Sequence, residues 1–127
     1  MSTGRASMGE AHDVDAAAFA RIVAGYRPAA MRALVAAWPA VRHGLESAPA
    51  LAKYLGAFES GREVDAIRLP PSARGRIFYN ADMSGFNYTR EKLTIAAALD
   101  RAMKNARFEN GAALAVQSAP IPDCLPG

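Results

Sequence analysis

Proline decides where most elements of this chain begin and end. A proline locks φ near −65°, donates no backbone N–H and pushes the residue before it out of the helical region. Pro28 leads one segment, Trp38-Pro39 ends it, and Pro49 suits the first turn of a helix. Pro70-Pro71 terminates another segment, and Pro120, Pro122 and Pro126 crowd the last ten of 127 residues. The elements between them have little to bury. Hydrophobic residues make up 51% of the chain, but 29 are alanines, which leaves 36 with bulky apolar side chains. That supports a thin core in one domain or part of one, with no room for two independent cores.

Within these bounds the local signals predict a mixed α+β chain. Residues 1–12 are small and polar without periodicity and read as a flexible tail. Asp13 or Asp15 caps a helix whose stripe is Phe19, Ile22 and Val23, with Gly25 in the C′ position. Residues 28–37 are ambiguous, because alanine favours helix while the alternation of Met31, Ala33 and Val35 permits a strand. A short helical turn over Val41 to Gly44 follows. Ser47 caps a helix with Leu51, Tyr54, Leu55 and Phe58 on one face, stopped by Gly61. Val64 to Leu69 alternates as a strand should, and Arg76 to Tyr79 is a second strand candidate. The loop Asn80 to Tyr88 carries Met83, Phe86 and Tyr88 around Gly85, and apolar loop residues are expected to pack back onto the core. A helix is predicted from about Thr89 to Ala106, with an Asp100–Lys104 pair at i, i+4. Asn110-Gly111 marks a turn, Ala113 to Gln117 an inner strand, and Ser118 to Gly127 carries no helix or strand.

The polar inventory excludes much chemistry. Two histidines and one cysteine rule out an intramolecular disulfide and a zinc site of Cys and His alone within one chain. A site of two histidines and one carboxylate for non-haem iron is normally written His-x-Asp or His-x-Glu for its first pair. His12 is followed by Asp13-Val14 and His43 by Gly44-Leu45, so neither fits. His43 and Glu46 share a helical face at i, i+3, and the plain reading is an exposed histidine near a helix end. Cys124 has no neighbouring cation or helix N-terminus to activate it and reads as an incidental thiol. Gly-x-Ser-x-Gly, Walker and Gly-x-Gly-x-x-Gly loops are missing from the sequence. Asn87-Tyr88-Thr89 is a glycosylation sequon without consequence unless the chain is secreted, and nothing pairs Asp82 with Glu91. No residue emerges as catalytic or as a metal ligand. The net charge is +3, and 12 scattered arginines among 12 acids form no stripe, so no nucleic acid is expected as a partner. No apolar run approaches a membrane span, and Met1 to His12 lacks a signal peptide's apolar segment, so no membrane partner and a cytoplasmic location are expected.

An ordered set of features is more specific. Arg27-Pro28-Ala29-Ala30-Met31-Arg32-Ala33-Leu34-Val35 leads into Trp38-Pro39-Ala40-Val41; Tyr54-Leu55, Phe58 and Gly61-Arg62 follow. Then come Gly75-Arg76-Ile77-Phe78-Tyr79-Asn80, Asp82-Met83-Ser84-Gly85-Phe86-Asn87, Val116-Gln117-Ser118 and Asp123-Cys124-Leu125-Pro126-Gly127. Over about residues 14–127 this set resembles the N-terminal part of bacterial cupin-like proteins of the JmjC type, relatives of the asparaginyl hydroxylase that acts on hypoxia-inducible factor.

The resemblance implies a double-stranded β-helix (jelly roll) preceded by a helix–strand region, with residues 13–127 as the N-terminal portion of the domain and its barrel incomplete. It implies Fe(II)- and 2-oxoglutarate-dependent oxygenation of an unknown substrate, with iron held by His-x-Asp and a distal histidine. Pro28 to Val35 becomes an early strand, which overrides the helix suggested by alanine. Ala115-Val116-Gln117 resembles a strand that enters the active-site pocket, often as Tyr-x-Gln. Gln117 is thus the candidate cofactor-binding residue, while Ala115 stands in place of a tyrosine that helps hold the co-substrate. The family's His-x-Asp lies several dozen residues beyond Leu125-Pro126-Gly127. The expectation is therefore a segment of a longer oxygenase that by itself lacks the iron triad, takes up no cofactor and is inactive. The alternative is a non-catalytic interaction module, such as a small homodimer that covers the thin core and the edge of Ala113 to Gln117.

Overall fold

A computed structural model describes residues 8–127, and the chain divides into two compact units at Arg42/His43. In the first unit β1 (Gly9–Ala11) lies parallel to β2 (Ala29–Met31), with Gly9 opposite Ala29 and Ala11 opposite Met31. Parallel strands need a crossover, and α1 (Ala16–Ala24) supplies it. Asp15 caps this helix by accepting a 2.7 Å hydrogen bond from the Ala18 N–H. Gly25 remains right-handed, and the left-handed reversal falls on Tyr26 with φ +48°. The tail expected over residues 1–12 thus contains a paired strand at residues 9–11; residues 1–7 lie outside the described residues. The strand expected over Pro28 to Val35 contracts to Ala29–Met31. Its partner offers only three residues, and the chain turns away through Ala33 at φ +56°. None of the described residues of this unit is buried.

The helix α2 (Pro39–Glu46) spans the division between the units. In the second unit α3 (Ala48–Gly56) is capped by Ser47, whose hydroxyl accepts from the Ala50 N–H at 3.1 Å. It ends before Phe58, and Gly61, at φ +77°, lies in the connection to the sheet. The sheet has three antiparallel strands in the order β4 (Thr89–Thr94), β3 (Glu63–Leu69), β5 (Ala113–Val116). The helix expected from Thr89 to Ala106 therefore splits. Its first six residues pair with β3, Leu93 opposite Val64 and Lys92 opposite Asp65. Thr94 then caps α4 (Ile95–Asn105), accepting from the Ala97 N–H at 3.2 Å.

Two further expectations fail for related reasons. Arg76 to Tyr79 forms no strand beyond a single bridge from Tyr79 to Phe86, because the backbone of its own hairpin bonds locally, Phe78 to Asn87 and Asn80 to Gly85. The terminal segment, expected to lack regular structure, makes a helical turn, α5 (Ile121–Cys124). That turn is tied back by the Ser60 N–H to the Cys124 carbonyl at 3.0 Å and the Ser60 hydroxyl to the Asp123 carbonyl at 2.8 Å.

The core is Val64, Ala66, Ile67, Leu69, Ala98 and Cys124. Directly opposed residues share a sheet face, so Val64, Ala66, Leu93, Leu114 and Val116 line one side. There α4 presents Ile95, Ala98, Leu99 and Ala102 toward Leu114 to Val116, and its Arg101 pairs with Glu91 on the same face. Ile67 and Leu69 are buried on the opposite face. Only Asp65 and Arg68 emerge to solvent between Val64 and Leu69. Alanine at positions 66 and 98 keeps this core compact but thin. Among the described residues neither sheet closes into a barrel.

Candidate functional site

Gln117 follows directly on β5, and Ser118 turns the chain at φ +54° so that Pro120 and α5 fold back beside the sheet. The reversal leaves the Gln117 side chain exposed on a cavity of about 280 Å³. Arg62 and Asp65 from the start of β3, Lys92 from β4 and Asp123 from α5 complete its polar wall. Arg62 pairs with Asp123 at 3.2 Å, and Lys92 with Asp65 at 3.0 Å. All four side chains are more than half exposed, so each pair is screened by water and adds little to stability. With Glu63 also on the wall, three carboxylates face two cations that are already paired. A dianion such as 2-oxoglutarate needs uncommitted positive charge, which this wall does not offer. The Gln117 amide can still donate and accept one hydrogen bond each way.

The two histidines of the chain, neither of which has the His-x-Asp spacing, do not line this cavity. His12 is exposed in the first unit, just beyond β1. His43, in the second, is half-buried and stacks on Tyr54 with ring centroids 4.8 Å apart, while Phe58 meets the same ring edge-on at 5.0 Å. Its Nδ1 lies 3.8 Å from Glu46, so the expected i, i+3 neighbours do meet, but the imidazole serves an aromatic stack rather than standing free. Among the described residues no three His, Cys, Asp or Glu side chains converge to hold a metal ion. These residues do not fit an iron triad. Cys124, the last residue of α5, is buried in the core.

The loop between Arg76 and Tyr88 departs furthest from what its sequence suggests. Its polar side chains bond inward. The Asn87 Oδ1 accepts from the Phe78 N–H at 3.0 Å, and the Asn87 amide donates to the Arg76 carbonyl at 2.8 Å. The Asn80 Oδ1 accepts from the Gly85 N–H at 3.2 Å. At the tip the Asp82 carboxylate accepts from both the Ser84 hydroxyl at 2.6 Å and the Ser84 N–H at 3.0 Å, which holds its pKa below the ordinary aspartate value. With the polar groups used to close the hairpin, the apolar ones face water. Phe86 stacks between Tyr79 (5.4 Å) and Tyr88 (5.0 Å), and Phe78 meets Tyr79 edge-on at 5.7 Å. The signal for this lies in Asn80 to Asn87, where Asn, Asp and Ser recur at the spacing of local side chain to backbone bonds.

A comparison with family models returns one described as a cupin-like domain, matching residues 15–127. No curated protein and no solved structure matches the chain.

Proposed function

Because the chain belongs to the cupin-like domain family, which includes 2-oxoglutarate oxygenases, we propose that it forms the N-terminal part of an Fe(II)- and 2-oxoglutarate-dependent hydroxylase of the JmjC type. The family match over residues 15–127 carries the reading, and Gln117 is one of the residues lining a cavity at the end of β5. In this reading α3, α4 and the β4-β3-β5 sheet buttress a jelly-roll barrel contributed by residues outside this sequence. Those residues also supply the iron ligands, since His12 and His43 do not. Gln117 contributes one amide hydrogen bond to the pocket, without help from a tyrosine at position 115, and the positive charge a dianion needs comes from residues outside this sequence. Kinship with the asparaginyl hydroxylase of hypoxia-inducible factor, a bacterial source, a cytoplasmic setting and residues 13–127 as one portion of the domain belong to the same proposal.

The test starts from the coding sequence downstream of Gly127. It is expected to encode a His-x-Asp and a later histidine, and an in-frame continuation without them overturns the reading. With Fe(II) supplied, the longer protein is expected to consume O2 and convert 2-oxoglutarate to succinate and carbon dioxide, the second oxygen atom going to the substrate, and the 127-residue chain is not. Gln117→Leu in the longer protein is expected to slow that turnover roughly tenfold, the equivalent of one hydrogen bond to a charged group. Turnover by the 127-residue chain, or an unchanged rate in Gln117→Leu, contradicts the proposal.

A further inference from the structure

Gln117 lies between two anchors of different kinds. On its N-terminal side Val116 is paired with Ala66, and the ladder between β3 and β5 stops there. On its other side Ser118 turns the chain at φ +54°, a left-handed conformation that persists in a residue with a side chain only where its surroundings hold it. The hold comes from Ser60. Its hydroxyl donates to the Asp123 carbonyl at 2.8 Å, and its N–H donates to the Cys124 carbonyl at 3.0 Å. Both acceptors belong to the last turn of α5, where carbonyls have no partner within the helix. The same hydroxyl accepts from the Arg62 N–H at 3.3 Å, which ties the clasp to the start of β3. The way back from α5 to Gln117 is short and stiff. Pro120 stands at φ −65° and restricts Ala119 before it, so a displacement of α5 is carried to Gln117 rather than absorbed. Beyond α5, Gly127 lies so close to the Phe58 ring that a Cβ on it would collide with the ring. The Arg62–Asp123 pair bridges the same two segments, but it is exposed and adds little.

We infer that Ser60 is a positioning residue for Gln117: its two bonds to α5 hold the turn at Ser118 and with it the Gln117 side chain against the cavity. What Gln117 does there rests on the oxygenase reading, whereas how it is held rests on these hydrogen bonds alone. Cys124 supplies a reporter within the clasp. It is 4% exposed at the end of α5, so its thiol meets a reagent only when α5 lifts away. Ser60 itself is exposed, so shortening its side chain leaves no cavity and the fold is kept.

The test begins with labelling of Cys124 by an aromatic disulfide reagent in the 127-residue chain. Ser60→Ala is expected to speed labelling about fivefold, the worth of one net hydrogen bond. Ser60→Thr keeps the hydroxyl and is expected to stay within about twofold of the parent. Ser47→Ala removes the α3 cap, a bond of similar worth far along the chain, and is also expected to stay within about twofold. The Gln117 side-chain amide, assigned in proton–nitrogen NMR as the signal lost in Gln117→Leu, is expected to shift in Ser60→Ala and to hold its place in Ser47→Ala. Equal acceleration in Ser60→Ala and Ser47→Ala overturns the inference, as does acceleration in Ser60→Thr or a Gln117 signal that Ser60→Ala leaves unmoved. In the longer protein Ser60→Ala is expected to slow 2-oxoglutarate turnover about fivefold and to have no further effect once Gln117 is Leu. Losses that simply add would mark Ser60 as structural and overturn its role toward Gln117. A longer protein without turnover overturns the oxygenase reading instead, and the labelling and NMR results still decide this one.

Discussion

Leu69→Ala is the sharpest test of how this fold is held. Leu69 is 2% exposed and is the largest fully buried side chain. Its removal costs the transfer energy of the lost atoms plus a term for the cavity, about 2–5 kcal/mol for Leu→Ala. Where a site falls in that range depends on whether its neighbours can move in. Here they cannot easily do so. The residue opposite Leu69 on β5 is Ala113, the next pair on that face is Ile67 with Ala115, and Pro70 stiffens the backbone immediately after. Alanines have no rotamers with which to fill a void, so a loss of about 3–5 kcal/mol is expected. A domain's stability is typically about 5–15 kcal/mol, and six buried apolar residues among the described residues place this chain at the low end. At about 4 °C or more per kcal/mol, Tm should fall by at least about 12 °C. Thermal unfolding followed by circular dichroism, together with urea titration, measures both quantities. Leu45→Ala, on a residue 80% exposed, is the control and is expected to stay within about 0.5 kcal/mol. A loss below about 1 kcal/mol at Leu69 refutes the claim that the alanine-lined core cannot relax.

Other positions give expectations of either sign. A Cβ on Gly111 would lie 2.1 Å from the Asn105 carbonyl oxygen, so Gly111→Ala must push the two backbone segments apart and break the 2.9 Å bond from the Asn105 amide to the Ala112 carbonyl. The cost expected in urea titration is about 1–3 kcal/mol. Gly56→Ala meets nothing within 4 Å at the end of α3 and is expected to stabilise by about 0.5–1 kcal/mol; equal effects at the two glycines would refute the geometry. The Asp82 carboxyl is expected to titrate below 3.8 by NMR, because its charged form accepts the Ser84 hydroxyl and N–H, and Ser84→Ala should move it back toward that value. The sign follows from the lowered pKa: the hairpin gains from this contact above pH 3.8 and loses it as pH falls through the folded value.

The helix caps at Asp15 and Ser47 were legible because a cap joins a side chain to an amide three residues away. The strand Val64 to Leu69 was legible because Pro70 ends it and its apolar content is high. Thr89 to Thr94 was not. Its residues suit the first turns of a helix as well as an edge strand, and the unpaired side of β3 decides between them. At the candidate site, Gln117 rests on the family resemblance alone, and the residues around it were not legible in the sequence. Arg62, Lys92 and Asp123 come from three separate segments, and their pairing as Arg62–Asp123 and Lys92–Asp65 exists only after the strands align. The hairpin was misjudged for a different reason. Its rings were expected to pack inward, but the Asn80, Asp82 and Asn87 side chains satisfy the turn's own backbone first and turn the rings outward.

By itself, the sequence determined whatever depends on neighbours along the chain. That covers the proline and cap boundaries, the poverty of bulky side chains, and the shortage of histidine and cysteine that excludes an intramolecular disulfide and a zinc site of Cys and His alone. The tertiary structure alone decided which segments pair, which apolar residues are covered and what surrounds Gln117. The division has a physical cause. Dihedral limits and capping bonds act over a few residues and are written locally, whereas strand pairing and burial depend on which distant surface arrives first to satisfy a free edge.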